Sequence, residues 1–209
     1  LAVNSAASKD VEGMPQGVLD AAEFTAKKKG KESGWLFTLQ PSSVMPLLTY
    51  CHNREIREKI SKAYSSRAFN DQFDNQENIK LILALRQERA QLLGYKNHAD
   101  YVLEDRMAAS VTNAREFLDK IYDVAYPAAL KERDEVAALA KELDGIDDLQ
   151  SWDWSFYSNK LKEKLYAYDP EELRPWFKVE NVIDGLFAVA KKIYGISMKQ
   201  VHDVPVYHE

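Results

Sequence analysis

Residues 111–145 read VTNAREFLDKIYDVAYPAALKERDEVAALAKELDG, and this stretch decides the fold class of the chain. Its apolar residues recur every three or four positions, which is the spacing of an amphipathic helix. Ser110 precedes the run and Gly145 closes it, in the positions that a helix N-cap and a left-handed C-terminal residue occupy. Pro127 lies inside the run, so we expect a kink there or two helices in sequence.

Helical spacing continues over most of the chain on both sides of this run. We expect further helices near 15–30, 75–94, 97–105, 152–165 and 182–195, one that Ser42 or Ser43 caps, and one that carries Ile56 and Tyr64 on one face. Strand signals are few: residues 35–39 are short and aromatic-rich, and residues 203–209 alternate weakly, like the start of a strand. The sequence therefore predicts a mainly α, irregular multi-helix domain over 15–209, with at most one or two short strands. Residues 1–14 are small and polar, and we expect a loose lead-in there.

Composition excludes several classes of protein. Apolar residues make up 45% of the chain and charged residues 29%, with 8 Gly and 7 Pro, which is typical of globular proteins. The net charge of −5 argues against a nucleic-acid partner. No apolar stretch is long enough to cross a membrane. We expect a cytoplasmic protein, with a periplasmic or exported one still possible because the chain does not begin with Met.

The residues that most often carry chemistry do not form a known pattern. The four histidines, His52, His98, His202 and His208, do not form H-E-x-x-H, which would place two imidazoles on one helix face around zinc. Cys51 is the single cysteine, which excludes an internal disulfide. It adjoins His52, and adjacent side chains of a helix point in different directions. The sequence therefore predicts no catalytic residue and no metal ligand, and it leaves the substrate-binding residues unknown.

Aromatic residues concentrate in two segments, Trp152–Tyr157 and Pro175–Phe177. Such clusters line ligand grooves in some proteins, but they more often anchor a core or a domain interface because aromatic rings bury the most apolar area. Packing is therefore the favoured interpretation. If part of the protein is missing, some of these rings should lie exposed.

Several segments together, in this order and spacing, resemble the region upstream of the catalytic motif in the thimet oligopeptidase family. They extend over residues 15–209 and are NREIREK (53–59), YSSRA (64–68), LRQERAQLLGY (85–95), ADY (99–101), MA (107–108), WDWSFY (152–157), RPWF (174–177), NVIDGLF (181–187), YG (194–195) and VPVYH (204–208). The family includes oligopeptidase A and the peptidyl-dipeptidases, and the segments look most like the bacterial peptidyl-dipeptidase branch. Trp176 stands where we expect the family to have Tyr.

The resemblance implies a mostly helical zinc peptidase of two lobes around a deep channel that admits short peptides. The peptidyl-dipeptidase branch removes dipeptides from a free C-terminus. In this family the H-E-x-x-H helix and the later zinc ligand lie downstream of such a segment. We therefore expect zinc in the parent protein and none in this chain. The chain would form part of the channel wall, lack the C-terminal catalytic lobe and be inactive alone.

Two other interpretations stay open. The chain could be a free-standing helical module that binds a peptide or a protein partner through its aromatic clusters. A metal-free hydrolase that uses paired carboxylates is the third, but no pair of acids in the sequence is placed to support it.

Overall fold

The structure is a computed structural model that describes residues 3–5, 8–167, 170–205 and 207. Helices dominate it, and the prediction of a mainly α chain with one or two short strands is confirmed. The elements are β1 (Val3–Ser5), α1 (Gln16–Lys28), β2 (Trp35–Phe37), α2 (Pro41–Tyr50), α3 (Arg54–Ser65), α4 (Gln76–Leu92), α5 (His98–Leu103), α6 (Val111–Asp144), α7 (Trp154–Tyr166) and α8 (Val179–Tyr194). Short 3₁₀ helices cover Ser8–Val11 and Pro170–Trp176.

The chain divides into two compact units, residues 1–165 and 166–209. In the first unit β1 and β2 form an antiparallel pair in which Val3 lies opposite Phe37. The strand predicted near 35–39 is confirmed, although it ends at Phe37. It ends there because the chain turns into α2, and the Thr38 N–H donates to Ser43 Oγ (3.0 Å) instead of to a neighbouring strand.

A first hydrophobic core forms where β2, α1, α2 and α3 meet. Its buried members are Val11, Met14, Ala22, Phe37, Val44, Leu47, Cys51 and Ile60. Two of these, Val11 and Met14, come from the segment that the sequence analysis treats as a loose lead-in. The same segment is tied to the end of α2, since the His52 N–H donates to the Glu12 carbonyl (3.0 Å). Residues 10–14 are therefore part of the packed unit.

The long amphipathic run that begins at Val111 forms one helix, α6, of 34 residues. Both predicted ends are confirmed: Ser110 Oγ accepts from the Asn113 N–H (3.1 Å), and Gly145 adopts a left-handed conformation with φ 66°. The helix passes through Pro127 without dividing into two. Proline removes only one intrahelical hydrogen bond, and the regular turns on both sides continue the helix.

A second hydrophobic core forms between the last turns of α6 and helix α7. Its buried members are Val136, Ala140, Phe156 and Tyr157. Helix α7 begins at Trp154, two residues after the predicted start, because the Asp153 carbonyl accepts the first helical hydrogen bond, from the Tyr157 N–H (3.0 Å). Asp153 therefore lies at the N-terminus of α7, in a position set by the turn that follows α6.

The second unit contains α8, which ends at Gly195 in a left-handed conformation, as predicted. None of its residues with described side chains is buried. Of the strand predicted to start in 203–209, residues 203–205 and 207 are described and are not in a strand, while 206, 208 and 209 lie outside the described residues. No helix among the described residues is long and apolar enough to cross a membrane.

Candidate functional site

The most unusual feature of the first unit is a buried cation near the start of α3. The side chain of Arg57 is 1% exposed, and the carboxylate that it contacts, Asp153, is 0% exposed. Arg57 Nη2 donates to Asp153 Oδ1 (3.1 Å), while Nη1 donates to the carbonyls of Cys51 (2.8 Å) and His52 (3.1 Å). A charge in this position requires such partners, because burying an unpaired ion costs several kcal/mol.

Asp153 is also held by a second arginine one helical turn away. Arg54 Nη2 donates to Oδ2 (2.7 Å) and Arg54 Nε donates to Oδ1 (3.0 Å), and the Gln150 N–H donates to Oδ2 (3.1 Å). Burial would by itself raise the pKa of the Asp153 carboxyl, but the hydrogen bonds from Arg54, Gln150 and Arg57 outweigh it and hold this pKa below its ordinary value. Asp153 is therefore ionised in the folded protein at neutral pH.

Aromatic rings complete this group of residues. The Arg57 guanidinium carbon lies 4.2 Å from the centre of the Phe156 ring, within the range of a cation–π interaction. Phe156 in turn meets Tyr157 edge to face, with 5.1 Å between ring centres. We call Arg54, Arg57, Asp153, Phe156 and Tyr157 the Arg57 cluster. It joins the two hydrophobic cores, because Arg57 binds carbonyls beside the first core and stacks on a ring of the second.

Tyr157 extends the cluster to the end of α6. Its hydroxyl donates to Asp144 Oδ2 (2.7 Å). Burial, followed by the hydrogen bond to Asp144 and the negative charge of that residue, raises the pKa of Tyr157. The hydroxyl therefore stays protonated and serves as a fixed donor rather than as an acid or a base at neutral pH.

A surface cleft lies beside the cluster, with a volume of about 360 Å³. We call it the His52 cleft, and it is lined by His52, Leu143, Asp144, Phe156 and Lys160. Phe156 belongs both to the Arg57 cluster and to the lining of the His52 cleft. The ring against which the Arg57 guanidinium packs therefore also forms part of the cleft wall.

The four histidines lie at separate positions along the chain. His52 lies between α2 and α3, His98 begins α5, His202 lies in the second unit, and His208 is outside the described residues. Cys51 is fully buried, and burial raises the pKa of its thiol, which disfavours the nucleophilic thiolate. Its thiol points at the Asp10 carbonyl (Sγ to O, 3.4 Å).

The family resemblance implies zinc in the parent protein. No group of three His, Cys, Asp or Glu side chains is placed to hold a metal ion in the part of the chain that the structure describes. The most buried carboxylate, Asp153, already receives hydrogen bonds from two arginines. The described residues therefore do not fit a zinc site.

The two aromatic segments have different environments. Phe156 and Tyr157 are buried, which agrees with the favoured packing interpretation, whereas Trp176 and Phe177 are 78% and 65% exposed. Sequence reasoning missed Arg54, Arg57 and Asp153. The available signal was the pair of arginines three positions apart, which places both guanidinium groups on one face of α3.

Comparison with known proteins gives a consistent result over nearly the whole chain. The sequence model of peptidase family M3 matches residues 47–209. Oligopeptidase A from Escherichia coli is 41% identical over 204 residues, which is 95% of this chain. The probable cytosolic oligopeptidase A of Arabidopsis thaliana is 36% identical over 96% of the chain. The dipeptidyl carboxypeptidase of Salmonella typhimurium is 31% identical over 93% of it.

These matches confirm the family predicted from the ordered segments. Identity is higher to oligopeptidase A than to the dipeptidyl carboxypeptidase, although the segments had suggested the latter branch. The chain spans about 30% of the length of the relatives that it matches.

Proposed function

The chain belongs to peptidase family M3, and from this premise we propose that it is a non-catalytic helical part of a zinc-dependent peptidase that cleaves short peptides. One observation carries the proposal: 95% of the chain aligns with oligopeptidase A at 41% identity, while covering 30% of that protein. The residues that hold zinc in this proposal lie outside the 209 residues, in an H-E-x-x-H helix that this sequence does not contain.

Exposed apolar helix faces support this assignment. Helix α8 has Ile183, Leu186 and Phe187 on one side, and the described residues of its unit bury none of them. Helix α4 and the first half of α6 also expose many apolar side chains, namely Ile79, Leu81, Ile82, Leu83, Leu85, Phe117, Leu118 and Ile121. Apolar surfaces of this extent are normally covered by another part of the protein or by a partner. We propose that the remainder of the peptidase covers them.

In the assembled peptidase these helices would form part of the wall of a channel that admits short peptides. Bound zinc would polarise the scissile carbonyl and lower the pKa of a bound water. The residues of this chain would shape the channel so that folded proteins cannot enter, and they would take no part in the cleavage reaction. We also propose a cytoplasmic location, in line with the relative that is called a probable cytosolic oligopeptidase A.

The cleavage mode is a finer part of the proposal. Release of dipeptides from the C-terminus requires a free terminal carboxylate, whereas internal cleavage does not. Peptides with a free and an amidated C-terminus therefore separate the two modes. Equal cleavage of both would favour the oligopeptidase mode, and loss of cleavage on amidation would favour the dipeptidyl carboxypeptidase mode.

The main experiment compares two proteins, the 209-residue chain and the longest product of the reading frame that contains it. We expect the longer protein to hydrolyse short peptides and to lose this activity in a zinc chelator. We expect the 209-residue chain to have no such activity. Chelator-sensitive hydrolysis by the 209-residue chain alone, or a reading frame without H-E-x-x-H, would contradict the proposal.

The exposed apolar faces also favour one other function, a helical module that binds a partner helix or peptide. An apolar groove lined by Met107, Ala108, Asn113, Ala114, Phe117 and Leu118 has a volume of about 380 Å³ and is a suitable docking surface. This alternative predicts saturable binding of a partner by the 209-residue chain. It also predicts that no longer protein with peptidase activity exists.

A further inference from the structure

The C-terminal end of α1 carries the densest run of positive charge in the chain. Four lysines lie within five consecutive residues, Lys27, Lys28, Lys29 and Lys31, whereas the whole chain has a net charge of −5. All four residues are exposed. Lys27 Nζ pairs with Glu23 Oε1 (2.5 Å), and no ion pair of the other three lysines is found among the residues that the structure describes. Three ammonium groups are therefore available to an anionic partner.

An exposed aromatic ring lies beside these lysines. Phe24 is 68% exposed, while Ala22 and Ala26, two positions away on either side, are buried. Two positions correspond to about 200° of rotation around an α-helix, so Phe24 lies on the outward face of α1. Lys27 and Lys28 follow Phe24 by three and four positions, which places their Cβ atoms about 5 to 6 Å from the Cβ atom of Phe24. We call Phe24, Lys27, Lys28, Lys29 and Lys31 the Phe24 patch.

The end of α1 keeps Lys31 close to the rest of the patch. Gly30 has φ +76°, and beyond it the Lys31 N–H donates to the Ala26 carbonyl (3.0 Å), so the chain turns back over the last helical turn. Nothing lies within 4 Å of a Cβ added at Gly30, so this turn is open on its outer side. The lysines therefore surround an accessible, convex helix end.

The carboxylates that border the patch do not cancel its charge. Glu23 is paired with Lys27, and Asp20 lies nearly one turn further towards the helix N-terminus. Glu32 follows Lys31 directly in the chain. The four lysines against the carboxylates of Glu23 and Glu32 leave a net charge of +2 at this end of α1.

The chemistry of the patch favours an extended anionic surface over a single bound anion. Its cations are all lysines, which act as point charges, and it has no arginine fork to grip one phosphate in two places. Clusters of four or more basic residues on a helix bind anionic lipids, and an adjacent aromatic ring can insert at the boundary between headgroups and acyl chains. Single-stranded nucleic acid is instead held by several aromatic rings along a basic groove, and the patch contains one ring.

We propose that the Phe24 patch is a peripheral contact with an anionic lipid surface. The lysine ammonium groups bind lipid phosphates, and the Phe24 ring enters the headgroup region between them. Attachment of this kind is reversible, since each lysine raises the affinity for an anionic bilayer by only about fivefold. The proposal goes beyond the proposed function and does not depend on the family assignment.

Co-sedimentation of the 209-residue chain with lipid vesicles tests the proposal. One set of vesicles is an equal mixture of phosphatidylcholine and phosphatidylglycerol, and the other is phosphatidylcholine alone, which measures any adsorption through the exposed apolar faces of α4, α6 and α8. We expect at least about tenfold stronger binding to the anionic vesicles. This preference should disappear between about 0.1 M and about 1 M salt, because the screening length falls from ~10 Å to ~3 Å. Equal binding to the two kinds of vesicle would overturn the proposal.

Variants at exposed positions locate the contact. Replacing two lysines together, Lys28→Gln with Lys31→Gln, should weaken binding to anionic vesicles by more than about tenfold. Phe24→Ala should also weaken it, but without changing its salt dependence. The matched control is Lys191→Gln with Lys192→Gln, which removes the same charge from the exposed last turn of α8 and should leave binding intact. An equal loss in the control would show that the contact is not at the Phe24 patch and would refute the proposal.

A competitor separates lipid from nucleic acid. A single-stranded oligonucleotide of thymidines, added at the same phosphate concentration as the anionic lipid, should leave the protein on the vesicles. Displacement by the oligonucleotide in the wild type, and none in the variant with Lys28→Gln and Lys31→Gln, would assign the patch to nucleic acid and overturn the lipid proposal. The family assignment would stand in either case.

Discussion

Arg57 donates to Asp153 across 3.1 Å, although the two residues lie 96 positions apart in the chain. Arg57 belongs to α3, which packs in the first hydrophobic core, and Asp153 precedes α7, which packs in the second. Their ion pair is completely buried, so it lacks solvent as an alternative partner. Its net contribution to stability is small when both partners are present, but the loss of one partner leaves a buried charge uncompensated.

Replacing Asp153 should therefore be far more damaging than replacing a surface aspartate. Asp153→Asn keeps the size of the side chain but leaves Arg57 without a counter-charge, and we expect a loss of about 3 to 5 kcal/mol in the free energy of unfolding. Urea unfolding monitored by circular dichroism measures this loss. The matched control is Asp134→Asn, whose exposed carboxylate pairs with Arg133, and it should change stability by less than about 0.5 kcal/mol. Equal effects of the two substitutions would refute the role of the cluster.

The same carboxylate should make stability depend on acid pH. Its pKa is depressed in the folded protein, so its contribution is complete above the ordinary value of 3.8 and is lost as pH falls through the lower folded value. The urea midpoint of the wild type should drop steeply in this acid range. In Asp153→Asn the drop should be shallower, because one proton fewer is taken up on unfolding. Parallel pH profiles for the two proteins would contradict this prediction.

How far the sequence predicts this fold depends on whether the contacts are local. The caps of α6 at Ser110 and Gly145 were predictable because each involves residues within one helical turn. The ion pair between Glu58 and Lys62, four positions apart on α3, follows from the same local geometry. The Arg57 to Asp153 pair depends on the packing of two distant helices, and nothing in the local pattern of either helix selects the partner.

The first 14 residues illustrate the same limit. Their small and polar composition indicates a loose segment, and the burial of Val11 and Met14 arises only from tertiary contacts with α1, α2 and α3. Gly13 is part of this arrangement. Its φ is +83°, and an added Cβ would lie 2.5 Å from the Tyr50 carbonyl oxygen. The segment thus has a specific backbone path that composition does not reveal.

Gly13→Ala should destabilise the chain for two reasons, the left-handed backbone and the clash with the Tyr50 carbonyl. The backbone alone costs about 1 to 2 kcal/mol for a residue with a Cβ. Gly30 provides the matched control, since its φ is +76° and nothing lies within 4 Å of an added Cβ. Thermal unfolding should show a larger loss for Gly13→Ala than for Gly30→Ala. Equal losses would mean that the segment moves away from Tyr50 at no cost.

The hydrogen bond between Tyr157 and Asp144 gives a prediction at alkaline pH. Tyr157→Phe removes the donor but keeps the ring, and we expect a loss of about 0.5 to 1.5 kcal/mol near neutral pH. Because the pKa of Tyr157 is raised in the folded protein, its contribution is present below the ordinary value of 10 and lost as pH rises through the folded value. The stability difference between wild type and variant should therefore shrink at high pH. A constant difference would contradict the raised pKa.

A substitution on the exposed face of α8 tests whether the rest of the longer peptidase covers that face. Leu186 is 63% exposed here, so Leu186→Ala should change the stability of the 209-residue chain by less than about 0.5 kcal/mol. If the remainder of the peptidase covers α8, the same substitution in the longer protein removes buried methyl groups and should cost about 2 to 5 kcal/mol.

Leu47, at 0% exposure in the first core, serves as the reference for this comparison. Leu47→Ala should cost about 2 to 5 kcal/mol in both proteins, because its neighbours all belong to the 209 residues. Denaturant unfolding of the four variants gives the comparison directly. A small effect of Leu186→Ala in the longer protein as well would mean that α8 stays exposed there, and the apolar face would then favour an external partner over the rest of the peptidase.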